Sequence, residues 1–218
     1  MIRRHYCLRP VRADERDLIF HWRNEPAVRA VMPRRAPIDR DYHARWWPEA
    51  LAEPQRRMMI LDEGTTPVAI IVFLDIKHGS SSSWGYYTAP HSDISRPRAQ
   101  AAWIACEFLG IYYAFRHLYL ETLVCEVIQS NIGVIRLHQL VGFEEVGINP
   151  SGDERPGFSA LRLQREGWNA DWARHFFSST ASLLVCPDPR DDAECKEVHL
   201  LTEKLFGYAE RQSNSNIA

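Results

Sequence analysis

The segment YYAFRHLYLETLVCEVIQSNIGVIRLHQLVGFEEVG, residues 112–147, decides the fold class of this chain. Its apolar, β-branched run at residues 122–128 predicts a strand. Residues 131–140 then show helical spacing and end before Gly142, a residue type that often closes helices in the left-handed conformation. A second strand is expected from Phe143. Strand, short helix and strand in direct succession indicate a mixed sheet with helices on its faces.

Three strands precede this segment. Residues 57–61, 68–76 and 84–88 are rich in apolar and aromatic side chains, and turn residues separate them, which predicts an antiparallel meander. The second of these strands is apolar on both faces and is expected to be central. A strongly apolar helix is predicted at 100–115, and a last strand at 158–164.

The N-terminal part adds one strand and two helices. A strand is predicted at residues 5–11 and a helix at 14–24, which Pro26 is expected to stop. Asp39 can cap a second helix, which we expect to be interrupted near Pro48. The whole pattern predicts an α+β fold with a mixed, mostly antiparallel central sheet flanked by helices.

The last 51 positions, residues 168–218, lie outside this pattern and are predicted to form a helical extension and a disordered tail. Two amphipathic stretches flank the linker CPDPRDD, and the final RQSNSNIA has the composition of disorder. We therefore divide the chain into a domain at 1–167 and an extension at 168–218. The stretch at 193–208 has one apolar stripe, for which dimerisation or packing on its own sheet is expected rather than a foreign partner.

Charge and composition exclude several classes of partner. The net charge is −2, so no overall field attracts nucleic acid or an anionic membrane. No apolar run reaches the roughly 18 residues of a membrane span. Five cysteines form no C-x-x-C pair, no cluster has the spacing of metal ligands, and no signal core is present, so a cytoplasmic protein without a metal is expected.

The basic residues are unevenly distributed. Residues 1–48 contain 11 Arg against 6 acids. This excess has two interpretations: it reflects the base composition of the genome, or it forms a patch for a phosphate-bearing substrate, since the guanidinium fork matches phosphate oxygens.

Three segments together resemble the GNAT superfamily of N-acyltransferases. They are LRPVRADERDLIFHWRNEPAVRAVM at 8–32, WGYYTAP at 84–90, and the segment at 112–147. The WRN of the first segment resembles the nucleotide-amino-sugar N-acetyltransferases of the pseudaminic acid type. The resemblance covers about residues 6–165, and it implies acetyl-CoA or another acyl-CoA as the co-substrate.

In the superfamily the fourth and fifth strands splay apart, and the pantetheine arm of the coenzyme pairs with the exposed backbone of the fourth strand. The resemblance places this strand at Trp84 to Thr88, where Gly85 would permit close approach. Backbone N–H groups near Tyr87 and Thr88 are implied to serve the thioester carbonyl. Asn131 is implied to orient the donor, or to cap a helix, or both.

Two residues are the catalytic candidates. Relatives often carry a proton-donating Tyr seven residues after the Asn, and here that position is His138, whose ordinary pKa of about 6.5 suits proton transfer. Glu126 could accept the amine proton. The alternatives are a surface or capping His and a structural carboxylate. Tyr112 and Tyr113 are replacement acids or packing residues.

The resemblance also implies the acceptor site. Arg23 would pair with phosphate, Met32 would contact an apolar ring face, and His43 would bind a sugar hydroxyl or phosphate. The alternatives are a surface salt bridge, core packing and a solvated helix face. Trp46 and Trp47 either stack on a base or pack in the core.

One stretch departs from the superfamily pattern. A Gln/Arg-x-x-Gly-x-Gly/Ala loop normally binds the coenzyme pyrophosphate, but this chain has no glycine from Pro90 to Phe108. In one explanation Arg96 and Arg98 supply charge while small residues such as Ala99 permit close approach. In the other, coenzyme binding has decayed.

The expected function is acyl-CoA-dependent acetylation of an amino group on a nucleotide-linked amino sugar, by direct transfer. An antibiotic, a metabolite or a protein amine is the alternative acceptor. A third hypothesis is a GNAT-shaped binding module without catalysis.

Overall fold

The computed structural model describes residues 4–150, 156–171 and 181–185. The strands are β1 (Arg4–Pro10), β2 (Arg57–Glu63), β3 (Thr66–Lys77), β4 (Ser81–Thr88), β5 (Thr122–Ile128), β6 (Glu144–Asn149), β7 (Phe158–Gln164) and β8 (Ala181–Val185). The helices are α1 (Arg16–Asn24), α2 (Pro26–Ala30), α3 (Arg40–Ala52), α4 (Arg96–Arg116) and α5 (Ile132–Leu140). Short 3-10 turns precede α1 and follow β7.

The eight strands form one sheet in the order β6-β7-β5-β4-β3-β2-β1-β8. Neighbouring strands are antiparallel except for β4 with β5 and β8 with β1, which are parallel. The mixed, mostly antiparallel sheet predicted from the sequence is confirmed.

The core lies between the sheet and α4, which packs across β2, β3 and β4. The predicted central strand β3 is buried along most of its length because both of its faces are apolar. Gly110 allows α4 to approach β4, since a Cβ at this position would lie 2.5 Å from Cζ3 of Trp84. The contact therefore fixes the distance between the helix and the strand.

The prediction for Pro26 is confirmed, and the prediction for Pro48 was wrong. α1 ends at Asn24, just before Pro26, and Pro26 then starts the separate helix α2, where its missing N–H costs no hydrogen bond. Pro48 lies inside α3, which continues without interruption to Ala52. The buried side chains of His43 and Trp47 hold that helix through the proline.

The predicted helical extension contains a strand that the sequence analysis did not expect. Residues 181–185 form β8, which pairs with β1 from Arg4↔Ala181 to Leu8↔Val185. The predicted linker, the helix at 193–208 and the tail lie outside the described residues. Among the helices that the structure describes, none has the length and hydropathy needed to cross a membrane.

A buried ion network joins β1 to β2 and to the turn before α1. The guanidinium of Arg9 contacts Glu15 at 2.6 and 2.9 Å and Asp62 at 2.6 Å. Burial opposes the charge of Glu15, but the hydrogen bonds from Arg9 and from the Arg12 backbone lower its pKa.

Candidate active site

The two parallel strands β4 and β5 diverge. They are paired only from Ser81↔Thr122 to Ser83↔Val124. Beyond that point β4 stays paired with β3 as far as Thr88, and β5 stays paired with β7 as far as Ile128. A gap therefore opens between β4 and β5, as the resemblance implied.

The backbone N–H and C=O groups of β4 point alternately to the two neighbouring sides of the strand. The N–H of Ala89 donates to the Val68 carbonyl, and the Ser80 carbonyl accepts from the Thr122 N–H. Odd-numbered residues therefore direct their backbone groups to β3 and even-numbered residues direct theirs to the gap. The prediction for Tyr87 is corrected, because its N–H faces β3. The N–H groups of Tyr86 and Thr88 face the gap.

Side chains of β4 and β5 divide between the two faces of the sheet. Trp84 and Tyr86 lie on the face that α4 covers, since Tyr86 contacts Glu107 of α4. Gly85 and Tyr87 lie on the opposite face, and a Cβ at Gly85 would meet nothing within 4 Å. Open space thus adjoins the free edge of β4.

A charged network lies beneath the gap. The Tyr86 hydroxyl donates to Oε2 of Glu107 at 2.6 Å, and Nδ1 of His138 lies 2.7 Å from Oε1. A carboxylate only accepts, so Nδ1 of the imidazole carries a proton. Glu107 is 0% exposed and His138 is 3% exposed, which excludes the surface alternative for His138.

The environment of His138 favours its charged form. Burial disfavours the imidazolium, but the charge of Glu107, the Cys125 thiol and the hydrogen bond to Glu107 outweigh it and raise the pKa of His138 to about 10. Three aromatic rings enclose the imidazole, with centroids 4.7 to 6.3 Å away: Trp84, Tyr86 and Phe143. The protonated imidazole is the ordinary state at neutral pH.

Sequence reasoning missed the partners of His138. Glu107 is the single acid of α4 and lies in the apolar part of that helix, which is the signal that could have identified it. Cys125 is the first residue of β5 beyond the last pair with β4, and its thiol interacts with the imidazole. Tyr86 had no distinguishing signal, since a Tyr in a strand is common.

The sequence of the domain decides the family. The family described as Acetyltransferase (GNAT) domain matches residues 5–144. The chain belongs to the GNAT acetyltransferase family. GNAT enzymes transfer an acetyl group from acetyl-CoA to an amine, and this chain is accordingly an N-acetyltransferase with acetyl-CoA as co-substrate.

Solved structures share the GNAT fold of this chain. Spermidine N-acetyltransferase from Vibrio cholerae, in complex with CoA and spermine, has a TM-score of 0.64 at 14% identity, covering 74% of this chain and 96% of its own. The N-acetyltransferase PseH of Campylobacter jejuni, in complex with acetyl coenzyme A, has a TM-score of 0.53 at 20% identity, covering 73% and 99%. No curated protein sequence matches the chain.

Unpaired backbone lines one side of the gap. The free edge of β4 offers the backbone groups of Tyr86 and Thr88, and Gly85 leaves the adjoining space open. Asn131 starts α5 near the end of β5, and its side chain does not cap the helix. The amide of Asn131 is thus left for another partner.

The rim of this GNAT site differs from the superfamily pattern. The Trp22 indole donates to Oδ2 of Asp93 at 2.9 Å, which ties the glycine-free stretch to α1. Partial burial opposes the charge of Asp93, yet the hydrogen bonds from Ser92 and Trp22 lower its pKa. A fixed negative charge therefore lies close to the N-terminus of α4, in the stretch where the superfamily pattern has its glycine-containing loop.

The three predicted residues on α4 have different environments. Arg96 is exposed at the start of the helix. Arg98 is bound to Oε2 of Glu63 at 2.6 Å, so it is already neutralised. Ala99 is 5% exposed and packs in the core, where it cannot line the coenzyme. Of the three, Arg96 is the most exposed.

Arg23 lies on the face of the sheet opposite to His138. Its Nη2 donates to the Arg34 carbonyl at 2.8 Å, while its Nη1 is buried and has no hydrogen-bond partner in the described part of the chain. Burial and the charges of Arg29 and Arg34 lower the pKa of Arg23, and Tyr87 of β4 interacts with the same guanidinium. A buried guanidinium thus lies beside Tyr87 of β4.

The other two acceptor candidates are placed differently. Met32 is half-buried just after α2, in the same segment as Arg29 and Arg34. His43 is 3% exposed, and its ring lies 5.3 Å from that of Phe20 and 5.5 Å from that of Trp47. This packing argues against the predicted contact between His43 and a sugar.

The two tryptophans of α3 pack instead of presenting an open platform. Trp47 is 4% exposed, and its indole donates to the Ala13 carbonyl at 3.0 Å. Trp46 is half-buried beneath the guanidinium of Arg56. Trp22 is 1% exposed, as expected of a core residue.

Glu126 lies on the same face of the sheet as Tyr87. The register of β4 and β5 places Glu126 on the same side of the sheet as Gly85 and Tyr87. Its carboxylate is exposed and accepts a hydrogen bond from Asn149 at 3.1 Å. No group of three or more potential metal ligands occurs in residues 4–150, 156–171 and 181–185.

Proposed function

We propose that this GNAT enzyme acetylates the amino group of a nucleotide-linked amino sugar. The observation that carries the proposal is the buried Nη1 of Arg23, which has no partner among the described residues and lies beside Arg29 and Arg34. A phosphate oxygen would satisfy that nitrogen and neutralise the arginines. A polyamine, which carries several positive charges, would be repelled.

The acceptor amine and the group that protonates the thiolate would act from opposite faces of the sheet. The amine would approach from the side of Tyr87 and Glu126, where the carboxylate can accept its proton, directly or through water. The thioester carbonyl would lie at the N–H groups of Tyr86 and Thr88. His138 would donate a proton to the departing thiolate from the opposite face, a role that its raised pKa permits at neutral pH.

The test is an acceptor panel measured by release of free CoA. A nucleoside-diphosphate-linked amino sugar should be acetylated, while the same amino sugar without the nucleotide should react at least tenfold more slowly, because one charge-assisted contact is worth about 1.5–3 kcal/mol. Spermidine is the cationic comparison. Turnover of spermidine or a peptide amine, with none of the nucleotide sugar, would overturn the proposal.

The variant Arg23→Gln sharpens that test. It should raise KM for the nucleotide-linked acceptor about tenfold or more and leave KM for acetyl-CoA unchanged. Arg16→Gln is the matched control, since Arg16 is also on α1 and pairs with Asp17 at the surface. Equal effects of the two substitutions would exclude a phosphate contact at Arg23.

A further inference from the structure

The carboxylate of Glu107 connects three elements beneath the gap. Its Oε2 accepts from the Tyr86 hydroxyl of β4 at 2.6 Å, and its Oε1 accepts from Nδ1 of His138 on α5 at 2.7 Å. We propose that Glu107 is a positioning residue for acetyl transfer, which keeps the His138 imidazole charged and directs its Nε2 at the departing thiolate. The proposal rests on the direct transfer from acetyl-CoA in the proposed function, but not on the identity of the acceptor.

The location of the imidazole is the first argument. Its ring centroid lies 5.8 Å from that of Trp84 and 6.3 Å from that of Tyr86. These are the first two residues of β4 beyond the last pair with β5, Ser83↔Val124, whose side chains lie on the face that α4 covers. The imidazole therefore lies under the part of β4 where the gap begins. An arm that pairs with β4 from Thr88 towards Trp84 would bring its thioester to this point.

The hydrogen bond to Glu107 fixes the orientation of the ring. A carboxylate only accepts, so Nδ1 of His138 donates and Nε2 is the nitrogen left for the co-substrate. Phe143 packs on the same imidazole, with ring centroids 4.7 Å apart, which limits its rotation. Neither His138 nor Glu107 has a side chain more than 4% exposed, so bulk water has little access to this bond.

Glu107 also supplies the charge that matches the imidazolium. The other titratable groups around the pair are the Tyr86 hydroxyl on β4 and the thiols of Cys106 on α4 and Cys125 on β5. Burial raises the pKa of Tyr86 and of Cys106, so both stay neutral. Burial opposes the charge of His138 as well, but the charge of Glu107, the Cys125 thiol and the hydrogen bond to Glu107 raise its pKa to about 10.

Tyr86 links the same carboxylate to the strand that would bind the arm. Its backbone N–H faces the gap, while its hydroxyl donates to Oε2 of Glu107. Each oxygen of the carboxylate thus has its own donor, and a rotation away from His138 would leave buried polar groups unpaired. One connected group of side chains therefore joins the free edge of β4 to the ring that protonates the thiolate.

The proposed step balances in atoms and charge. The amine nitrogen attacks the thioester carbonyl and the C–N bond forms; the bond from the carbonyl carbon to the CoA sulfur breaks, and that sulfur takes the proton from Nε2 of His138. The amine proton leaves through Glu126 to water. His138 is then neutral, with Nδ1–H still on Glu107, and regains a proton from water. A neutral imidazole could not start this step, because it would become an anion beside a buried carboxylate.

The kinetic test uses the full chain, acetyl-CoA and the amine of the acceptor panel that turns over fastest. Glu107→Gln should lower kcat at about pH 8 by about 100-fold, as expected for loss of a positioned acid, and leave KM for acetyl-CoA unchanged. The loss should be smaller at about pH 6, because without Glu107 the imidazole is charged only below its ordinary pKa of about 6.5. Glu107→Asp keeps the charge and should recover part of the rate.

A double variant separates positioning from a purely structural role. If Glu107 acts only through the imidazole, Glu107→Gln combined with His138→Gln should be no slower than His138→Gln alone. Glu144→Gln on the exposed strand β6 is the matched control and should keep the kcat of the unaltered chain. A further loss of about tenfold in the double variant, or full kcat in Glu107→Gln, would overturn the proposal.

A measurement on the unaltered chain keeps the proposal testable if Glu107→Gln fails to fold. Nitrogen-15 NMR of histidine-labelled protein, without acceptor and at about pH 8, should show the two ring nitrogens of His138 as those of an imidazolium. The signal is assigned by its absence from His138→Gln, and a neutral ring would contradict the assigned role of Glu107. Because no acceptor is present, the result is independent of whether a nucleotide sugar is acetylated.

Discussion

Oε1 of Glu107 and Nδ1 of His138 lie 2.7 Å apart, and neither side chain is more than 4% exposed. This ion pair joins α4 to α5 beneath the point where β4 and β5 separate. A charged pair is costly to bury, and hydrophobic residues of similar size would serve packing at least as well. Its presence at the gap therefore points to chemistry.

Glu107→Gln should change how stability depends on pH. The folded pKa of His138 is raised from 6.5 to about 10, so its stabilisation is fully present below the unfolded pKa and is lost as pH rises through the folded value. The variant should be less stable than the unaltered chain by about 3 kcal/mol at acidic to neutral pH. Urea denaturation should show this difference shrinking towards the folded pKa.

The matched control for that series is Glu144→Gln on the exposed strand β6. The free energy of unfolding of this variant should depend on pH in the same way as that of the unaltered chain. The ion pair would be contradicted if Glu107→Gln lowered the free energy of unfolding by the same amount at every pH.

Gly85→Trp should block the co-substrate without harming the fold. A Cβ at Gly85 meets nothing within 4 Å, so the indole would occupy the open space beside the free edge of β4. KM for acetyl-CoA should rise at least tenfold, which corresponds to about 1.4 kcal/mol, while Tm stays within a few degrees. Gly85→Ala is the control and should change KM little; an unaltered KM for Gly85→Trp would place the arm elsewhere.

Gly110→Ala, unlike Gly85→Trp, should lower the stability of the fold. The added methyl group would lie 2.5 Å from Cζ3 of Trp84, whose ring is enclosed by those of Phe73 and Phe143. Overpacking costs about 1–3 kcal/mol, which exceeds the gain of up to about 1 kcal/mol from replacing a helical glycine. Thermal denaturation should show a lower Tm, and an unchanged or higher Tm would mean that Trp84 moves freely.

Arg96→Gln should affect CoA binding, whereas Arg98→Gln should affect the stability of the fold. Arg96 is exposed at the start of α4, whereas Arg98 is bound to Glu63 at 2.6 Å. Calorimetry with CoA should show several-fold weaker binding for Arg96→Gln only. Arg98→Gln should mainly lower Tm; if it weakens CoA binding more than Arg96→Gln does, the assignment is reversed.

Glu15→Gln should lower the free energy of unfolding at neutral pH, and this difference from the unaltered chain should disappear in acid. The pKa of Glu15 is lowered in the folded chain, so its stabilisation is present above the unfolded pKa of about 4.3 and is lost as pH falls through the folded value. The loss at neutral pH should be about 1.5–3 kcal/mol. Denaturation at several pH values checks it, with exposed Asp14→Asn as the control.

The sequence by itself determined the order of the elements and the fold class. Apolar periodicity, the turn residues and the segment at 112–147 were local signals, and seven of the eight strands follow from them. Pro48 misled the prediction because tertiary packing and position within a helix decide what a proline does. The strand β8 was missed because its pairing partner, β1, is about 177 residues distant in the sequence.

The tertiary structure alone decided which groups meet at the gap. The resemblance to the superfamily selected His138 and Arg23, but it could not show that Glu107 and Cys125 reach the same imidazole from a different helix and a strand. It could not show that Tyr87 directs its N–H away from the gap, since a shift of one residue reverses the direction of every backbone group. It also could not show that His43 and Ala99 are buried, because burial depends on what packs from elsewhere in the chain.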